Sequence, residues 1–347
     1  MDLLKRLSEV AGVAGREERV REIIAAELEG LVDVLETDAM GNLHAVKRAG
    51  DGAPRAMVAA HMDEIGFYVK FIDDKGFIRL QQVGGFDPRN LFARQVIVHA
   101  SLSNEDLPGV MNPASKPIHI STPEERSKIP LIADFYVDLG LAPDEVSAKV
   151  RIGDMVTLKQ EFIDLGKVVT GKALDDRVGC WIAIEALKRL REPAFEVHAV
   201  FTTQEEVGLR GALTSAFRVE PDVGIALDTT LAVDTPDIKD HQRITKLGGG
   251  VGIKVMDSSS ISTRWLLDEF LALAEQRGID HQLEVLPLGG TDAGAIQRSR
   301  LGVPSITLST PSRYVHTVTE MVSKADLEAG VALLTAFLQE GTARLKS

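Results

Sequence analysis

Two glutamates stand side by side in "TTQEEVGLRG" (202–211), just beyond an apolar, β-branched run, Glu196–Thr202. Glu205 and Glu206 thus sit where a buried strand leaves its sheet. Adjacent carboxylates there repel one another unless positive charge is close by. Four other places put His, Asp or Glu at a strand end or in a Gly-flanked loop: "AAHMDE" (His61, Asp63), "ALDDRVG" (Asp175, Asp176), "ALDTT" (Asp228) and "SRYVHT" (His316). In open α/β sheets function gathers at the carboxyl ends of strands. Imidazole and carboxylate without thiolate suit zinc, cobalt or manganese in a catalytic site. Two histidines with three or four carboxylates are too many for one tetrahedral ion. They fit two ions about 3.5–4 Å apart, an arrangement used by hydrolases. One carboxylate is then left over to handle protons.

Taken singly, each element has a plainer reading. A lone histidine is usually hydrogen-bonded within the fold, "EE" is usually a solvated pair, and Asp228 suits a turn. Asp176 fits as the N-cap of a helix beginning near Val178. The plain readings would have to hold at five independent places at once, which argues for the constellation. Elsewhere they prevail. Cys180 lies on an apolar helix face, "LGGGVG" (247–252) reads as a flexible loop lining a cleft, and "DSSSIS" (257–262) lacks a partner histidine for a serine nucleophile. Residues 119–130 read as an exposed loop.

These residues must be held by a scaffold, and the chain has the material for one: 347 residues, 44% hydrophobic, favouring two domains. Helical patterns cover much of 2–29, 178–191, 263–277 and 324–345. Apolar strands fall at 32–36, 42–46, 55–61, 196–202, 223–228, 281–287 and 304–309. Interleaved helices and strands argue for an α/β sandwich around a mixed sheet. Between about 67 and 163 the texture changes to short β-like runs ("GFYVKFI", "GFIRLQQV", "RQVIVHA", "DMVTLKQ"), with one short helical stretch at 131–139. The expected division is a catalytic domain from 1–66 and 164–347, interrupted by a β-rich unit at 67–163. A net charge of −12 without a basic cluster argues against nucleic acid and anionic membranes as partners. The opening residues lack the apolar core of a secretory signal, and the single cysteine forbids an internal disulfide, so cytoplasm is the expected compartment.

With these motifs, and "VGGFDPRNL", "GKALDDRVG", "GGTDAGAI" and "TEMV" besides, the sequence resembles the glutamyl/leucyl aminopeptidase family, whose members include the tetrahedral (TET) aminopeptidases. The resemblance spans essentially the whole chain. It implies a three-layer α/β/α sandwich of zinc-peptidase type with an inserted PDZ-like β-barrel, acting as a metal-dependent aminopeptidase on peptides. It implies two divalent ions per subunit, zinc or cobalt with manganese a third candidate. His61, Asp175 and Asp228 would hold one ion, and Asp175, Glu206 and His316 the other. Glu205 would be the general base that takes the water's proton and returns it to the leaving amine. Asp63 would orient His61, and the Asp175–Asp176 peptide would be cis. Gly290, Thr291 and Asp292 are the expected substrate-binding residues, with 255–262 beside them. The resemblance also implies dimers assembling into a homo-dodecamer, the insert serving the interfaces.

Adjacent residues on an extended backbone face opposite ways, so Glu205 and Glu206 are expected to address different partners. Rival readings use the same residues. A carboxypeptidase or a deacylase would need a cation for the substrate carboxylate, with Arg313 and Arg264 as candidates. A glycoside hydrolase would idle the histidines and want aromatics in its cleft, against 5% aromatic residues and only Trp181 and Trp265. A non-catalytic scaffold would carry no metal.

Overall fold

The computed structural model describes residues 1–345. Two helices, α1 (Asp2–Glu9) and α2 (Glu18–Leu28), each bury one face, Leu3, Leu4 and Leu7 on the first and Val20, Ile24 and Leu28 on the second. Strands β1 (Val34–Thr37), β2 (Leu43–Lys47) and β3 (Arg55–His61) follow. The chain then enters a closed six-stranded barrel of β4 (Gly66–Ile72), β5 (Ile78–Val83), β6 (Arg94–Ala100), β7 (Glu105–Pro113), β8 (Phe135–Asp138) and β9 (Met155–Leu158). Short helices α3 (Pro123–Ser127) and α4 (Pro143–Lys149) decorate it. The barrel has its own core, which includes Phe67, Val96, Phe135 and Val156.

Beyond the barrel come β10 (Ile163–Asp164), β11 (Val168–Gly171), α5 (Leu174–Arg189), β12 (Glu196–Thr202), α6 (Arg210–Val219) and β13 (Val223–Leu231). The remaining elements are β14 (Val251–Met256), α7 (Arg264–Arg277), β15 (His281–Val285), α8 (Asp292–Gln297), β16 (Ser305–Arg313), β17 (Glu320–Ser323) and α9 (Lys324–Glu340). Eleven strands form one mixed sheet in the order β1-β2-β12-β3-β13-β16-β17-β11-β10, with β14 beside β16 and β15 outside β14. Its centre, β12-β3-β13-β16, is parallel. The alternation of β3 separates the two helical layers. Ala56, Val58 and Ala60 join the core under α1, α2, α5, α7 and α9, whereas Met57 and Ala59 face Ala216 of α6 and Ile296 of α8. This is the expected three-layer sandwich with an accompanying small barrel.

Several local expectations are corrected. The stretch 131–139 is a single 3₁₀ turn followed by β8, and the barrel's helices lie at α3 and α4, where Pro123 and Pro143 occupy first helical positions. Strand β7 escaped the pattern reading because it contains Pro108 and Asn112, yet Pro108 pairs opposite Ile97. Helices α6 and α8 and strand β14 were also unforeseen. The last helix stops at Glu340, where Gly341 takes φ +68°, and a separate 3₁₀ turn follows at Ala343–Leu345. "LGGGVG" is no cleft lining: the N–H groups of Gly248 and Gly250 donate to the Asp326 carboxylate at 2.8 and 2.9 Å, and β14 starts within the motif.

Phe337 of α9 is stacked between Phe270 of α7 and Phe195, at centroid distances of 4.3 and 5.3 Å, and all three rings are fully buried. Phe337→Ala is expected to cost about 3–5 kcal/mol of stability. A denaturant titration should show a lower midpoint with an unchanged slope.

Candidate metal and catalytic site

The parallel register brings the sequence motifs together. Thr202 of β12 is level with His61 of β3, and Ala226 of β13 is level with Ala59. His61, the last residue of β3, and Asp228, within β13, therefore lie at the same height on neighbouring strands. Glu205 and Glu206 follow β12, Asp175 opens α5 after β11, and His316 lies between β16 and β17 with φ +62°. The Asp175–Asp176 peptide is cis.

All five stretches converge. His61 Nε2 lies 3.5 Å from Asp175 Oδ1 and 3.9 Å from Glu205 Oε2. His316 Nε2 lies 3.3 Å from Asp175 Oδ2 and 3.4 Å from Glu206 Oε1. Two sets of ligand atoms lie within 4.8 Å of one another, His61–Asp175–Glu206 and Asp175–Asp176–Asp228, and Asp175 belongs to both. Glu205 and His316 belong to neither.

The electrostatics are those of a site short of positive charge. Burial pushes the carboxyls of Glu205 and Asp228 well above their ordinary range, with neighbouring carboxylates adding to it. Glu206 is raised by burial too, against the pull of His316. Burial would lower both imidazoles, but the surrounding carboxylates outweigh it: His61 is held well above its usual value by Glu205 and Asp175, and His316 is pushed up to about 12. Burial would also raise Asp175, yet the two histidines hold it far below the carboxylate range. A divalent cation relieves all of these at once. The donors fit one: all are imidazole nitrogen or carboxylate oxygen, and Asp175 Oδ1 is buried with no hydrogen-bond partner. Ligands bound at about 2.0–2.2 Å to one tetrahedral ion lie about 3.3–3.6 Å apart. The His–carboxylate separations of 3.3–3.5 Å match that edge.

Three further carboxylates hold the ligands by their backbones, each spending both oxygens on N–H groups. Asp63 accepts from Glu205 (2.9 Å) and Glu206 (3.1 Å), Asp176 from His61 (3.2 Å) and Gly179 (3.0 Å), and Glu320 from Asp175 (3.0 Å) and His316 (2.8 Å). Asp63 also lies against His61: the imidazole Nδ1 meets its backbone carbonyl at 3.0 Å and its carboxylate at 3.5 Å, while the same carboxylate organises the glutamate turn. The two glutamates are not on extended backbone: Gln204 takes φ +57° and a turn follows, so both N–H groups point at one carboxylate. Gly211 closes that turn, since a Cβ there would meet Asn42 Oδ1 at 2.2 Å and the Thr203 backbone at 2.5 Å. Asp176 caps the helix through Gly179, as its position before Val178 suggested. Glu320 was missed, although its "TEMV" motif stood four residues beyond His316.

A cavity of about 570 Å³ opens at the cluster. Gly290 and Thr291 line it, with Ser258 and Ser259. Asp292 does not; its carboxylate accepts the Thr202 hydroxyl at 2.6 Å. Arg313 is spent on a two-pronged pair with Asp234 at 2.6 and 2.7 Å, and Arg264 pairs with Asp268 at the surface. Neither lines the cavity, so the cation needed for a carboxypeptidase is not supplied by them. Replacing Glu320 by Ala frees the backbones of Asp175 and His316 together. Metal affinity is expected to fall about 10–100-fold, read by titrating the apo protein with zinc.

The family model for M42 glutamyl aminopeptidases matches residues 41–333. A putative aminopeptidase of Acetivibrio thermocellus is 40% identical, over 96% of this chain and 96% of that one. The lysyl aminopeptidase of Pyrococcus furiosus is 31% identical, over 98% and 96%. Among solved structures, the TET1 peptidase of Pyrococcus horikoshii, which can assemble into a tetrahedron or a large octahedral shell, superposes with a TM-score of 0.87. It is 35% identical, over 98% of this chain and 99% of that one. The matched length and the converging motif residues lead to one conclusion: this chain belongs to the M42 glutamyl aminopeptidase family and is a metal-dependent aminopeptidase.

Proposed function

We propose that catalysis runs at a dinuclear centre in which Asp175 is shared, with His61 and Asp228 on one ion and Glu206 and His316 on the other. The observation that carries this reading is that Asp175 lies 3.5 and 3.3 Å from the two imidazoles, with Glu206 3.4 Å from His316 and Asp228 clustered beside Asp175. The ions, zinc or cobalt with manganese a third candidate, would lower the pKa of the attacking water and polarise the scissile carbonyl. Glu205 is the general base. Its side chain is 10% exposed, it lies 3.9 Å from His61, and burial favours the protonated form it must adopt before handing the proton to the leaving amine. Asp63 fixes the order of the two glutamates by holding both backbones. The substrate's free amino group is drawn to this acidic cleft, which suits removal of N-terminal residues.

The glycosidase reading finds no support in the cavity, whose described lining contains no Phe, Tyr or Trp. Residues 1–66 and 164–347 form the catalytic unit in this reading, and 67–163 the insert. We further propose that copies assemble through that insert into a dodecamer built from dimers. The segment between β7 and β8 leaves Ile118, Ile120, Ile129 and Leu131 at 56–69% exposure, apolar surface that a second copy would cover. Among the described residues no helix is long and apolar enough to cross a membrane. The single, buried cysteine is in keeping with cytoplasmic residence.

The two glutamates separate in a metal assay. Glu205→Gln is expected to keep two ions per chain and to lose about 10²–10⁴-fold in kcat, whereas Glu206→Gln should bind fewer ions. Elemental analysis alongside turnover of a free-amino anilide reads both, and a Glu205→Gln protein with normal turnover would sink the assignment. Light scattering tests the assembly: Ile118→Asp with Leu131→Asp should lower the mass of the particle.

A further inference from the structure

Four consecutive N–H groups in the glutamate turn are taken by side-chain oxygens from other parts of the chain. Thr203 donates to Asn42 Oδ1 at 2.9 Å, and Asp63 receives both Glu205 and Glu206. The remaining one, Gln204, donates to Glu17 Oε1 at 3.1 Å, across 187 residues. The same oxygen accepts the N–H of Gly15 at 2.7 Å. Glu17 stands at the N-cap of α2, where a side-chain oxygen ordinarily accepts from the first turn of its own helix. It makes no such bond. It is also 3% exposed, and burial, with Asp63 adding to it, pushes its carboxyl up to about 7. A carboxylate that forgoes its cap and is buried beside a second acid does not serve the stability of α2. What it serves is the turn on the far side of the contact.

We propose that Glu17 is a positioning residue for the general base: by holding the Gln204 peptide it keeps Glu205 aimed for proton transfer. Gln204 takes φ +57°, a left-handed conformation that is costly for a side chain other than glycine and persists only where the surroundings impose it. Once Glu17 no longer holds that peptide, the turn can relax, and Glu205 is the next residue along. Glu206 has a second anchor in the reading above, its ion, with His316 3.4 Å away. Glu205 holds no ion in that reading. Its aim into the cavity depends on its backbone, which Asp63 and, through Gln204, Glu17 keep in place. The assignment rests on the general-base reading of Glu205 and deepens it.

The test compares the metal-loaded protein with Glu17→Ser, Glu17→Asp, Glu17→Gln, Glu205→Gln and the double variant Glu17→Ser with Glu205→Gln. For each, kcat and KM on a free-amino anilide are measured beside ions per chain and the thermal midpoint. Serine and aspartate are preferred N-cap residues that withdraw the acceptor from Gln204, so α2 keeps its start while the turn loses its hold. In both, kcat should fall on the order of 10- to 100-fold, the cost of a misaimed group, with KM, metal content and thermal midpoint unchanged. Glu17→Gln keeps an oxygen that accepts both N–H groups and should restore most of the rate. In the double variant the serine change should add nothing to the loss from Glu205→Gln, because the group it misaims is already disabled. Full rate in Glu17→Ser, a loss of ions, a glutamine variant as slow as the serine one, or losses that multiply in the double variant overturn the positioning role. The aspartate variant answers where the serine one does not fold, and failure of both to fold makes Glu17 a structural residue and overturns the role as well. All of these leave the general-base reading intact; a Glu205→Gln protein with normal turnover overturns both.

Discussion

Asp175, Asp228, Glu205 and Glu206 are packed together beside two imidazoles, and their mutual repulsion is the constraint around which the molecule is organised. No arrangement of these side chains is stable by itself, because burial strengthens every like-charge contact. The protein meets the problem by fixing backbones rather than by neutralising charges. Asp63, Asp176 and Glu320 are themselves acidic, yet each oxygen is occupied by a backbone N–H belonging to the site or its helix. Charge that remains uncompensated is what gives the site its demand for divalent cations.

A second buried network anchors these clamps to the N-terminal segment. Arg177, the residue after the Asp175–Asp176 pair, is fully buried and donates to the carbonyls of Met62 (2.8 Å), Leu7 and Val10 (3.2 Å). Lys172 contacts both oxygens of Glu64 at 2.9 and 2.7 Å, and Glu64 accepts the N–H of Gly12 at 3.0 Å. The loop bearing His61, the turn bearing Asp175 and residues 7–12 are thereby tied into one unit. A guanidinium with five donors in a fixed fork is suited to such a junction, where several loop carbonyls would otherwise be buried unpaired.

Much of this was legible in the chain. His61, Asp175, Glu205, Glu206, Asp228 and His316 could be picked out because carboxylates and imidazoles at strand ends break the apolar pattern that surrounds them. The central strands could be placed because strands covered on both faces are continuous apolar runs. Less regular pieces were hidden for physical reasons. Strand β7 carries Pro108 and Asn112 and is held by its place in a closed barrel, so its own propensity says little. Helix α6 begins after Leu209, which takes φ +57°, a conformation that no residue preference announces. Glu320 looked like any surface glutamate, since only its two backbone partners distinguish it.

The sequence by itself determined the donor types, the two textures of the chain and the sheet that must carry the site. These depend on composition and periodicity, which are local. Tertiary structure alone decided which oxygen faces which partner. Asp63 lies against His61 and also holds the backbones of Glu205 and Glu206, because β3 and β12 lie in a register that brings Thr202 beside His61. The same holds for Glu320, 145 residues from Asp175 and hydrogen-bonded to it. Pairings across such separations are set by strand order and register, and no local pattern of residues encodes them.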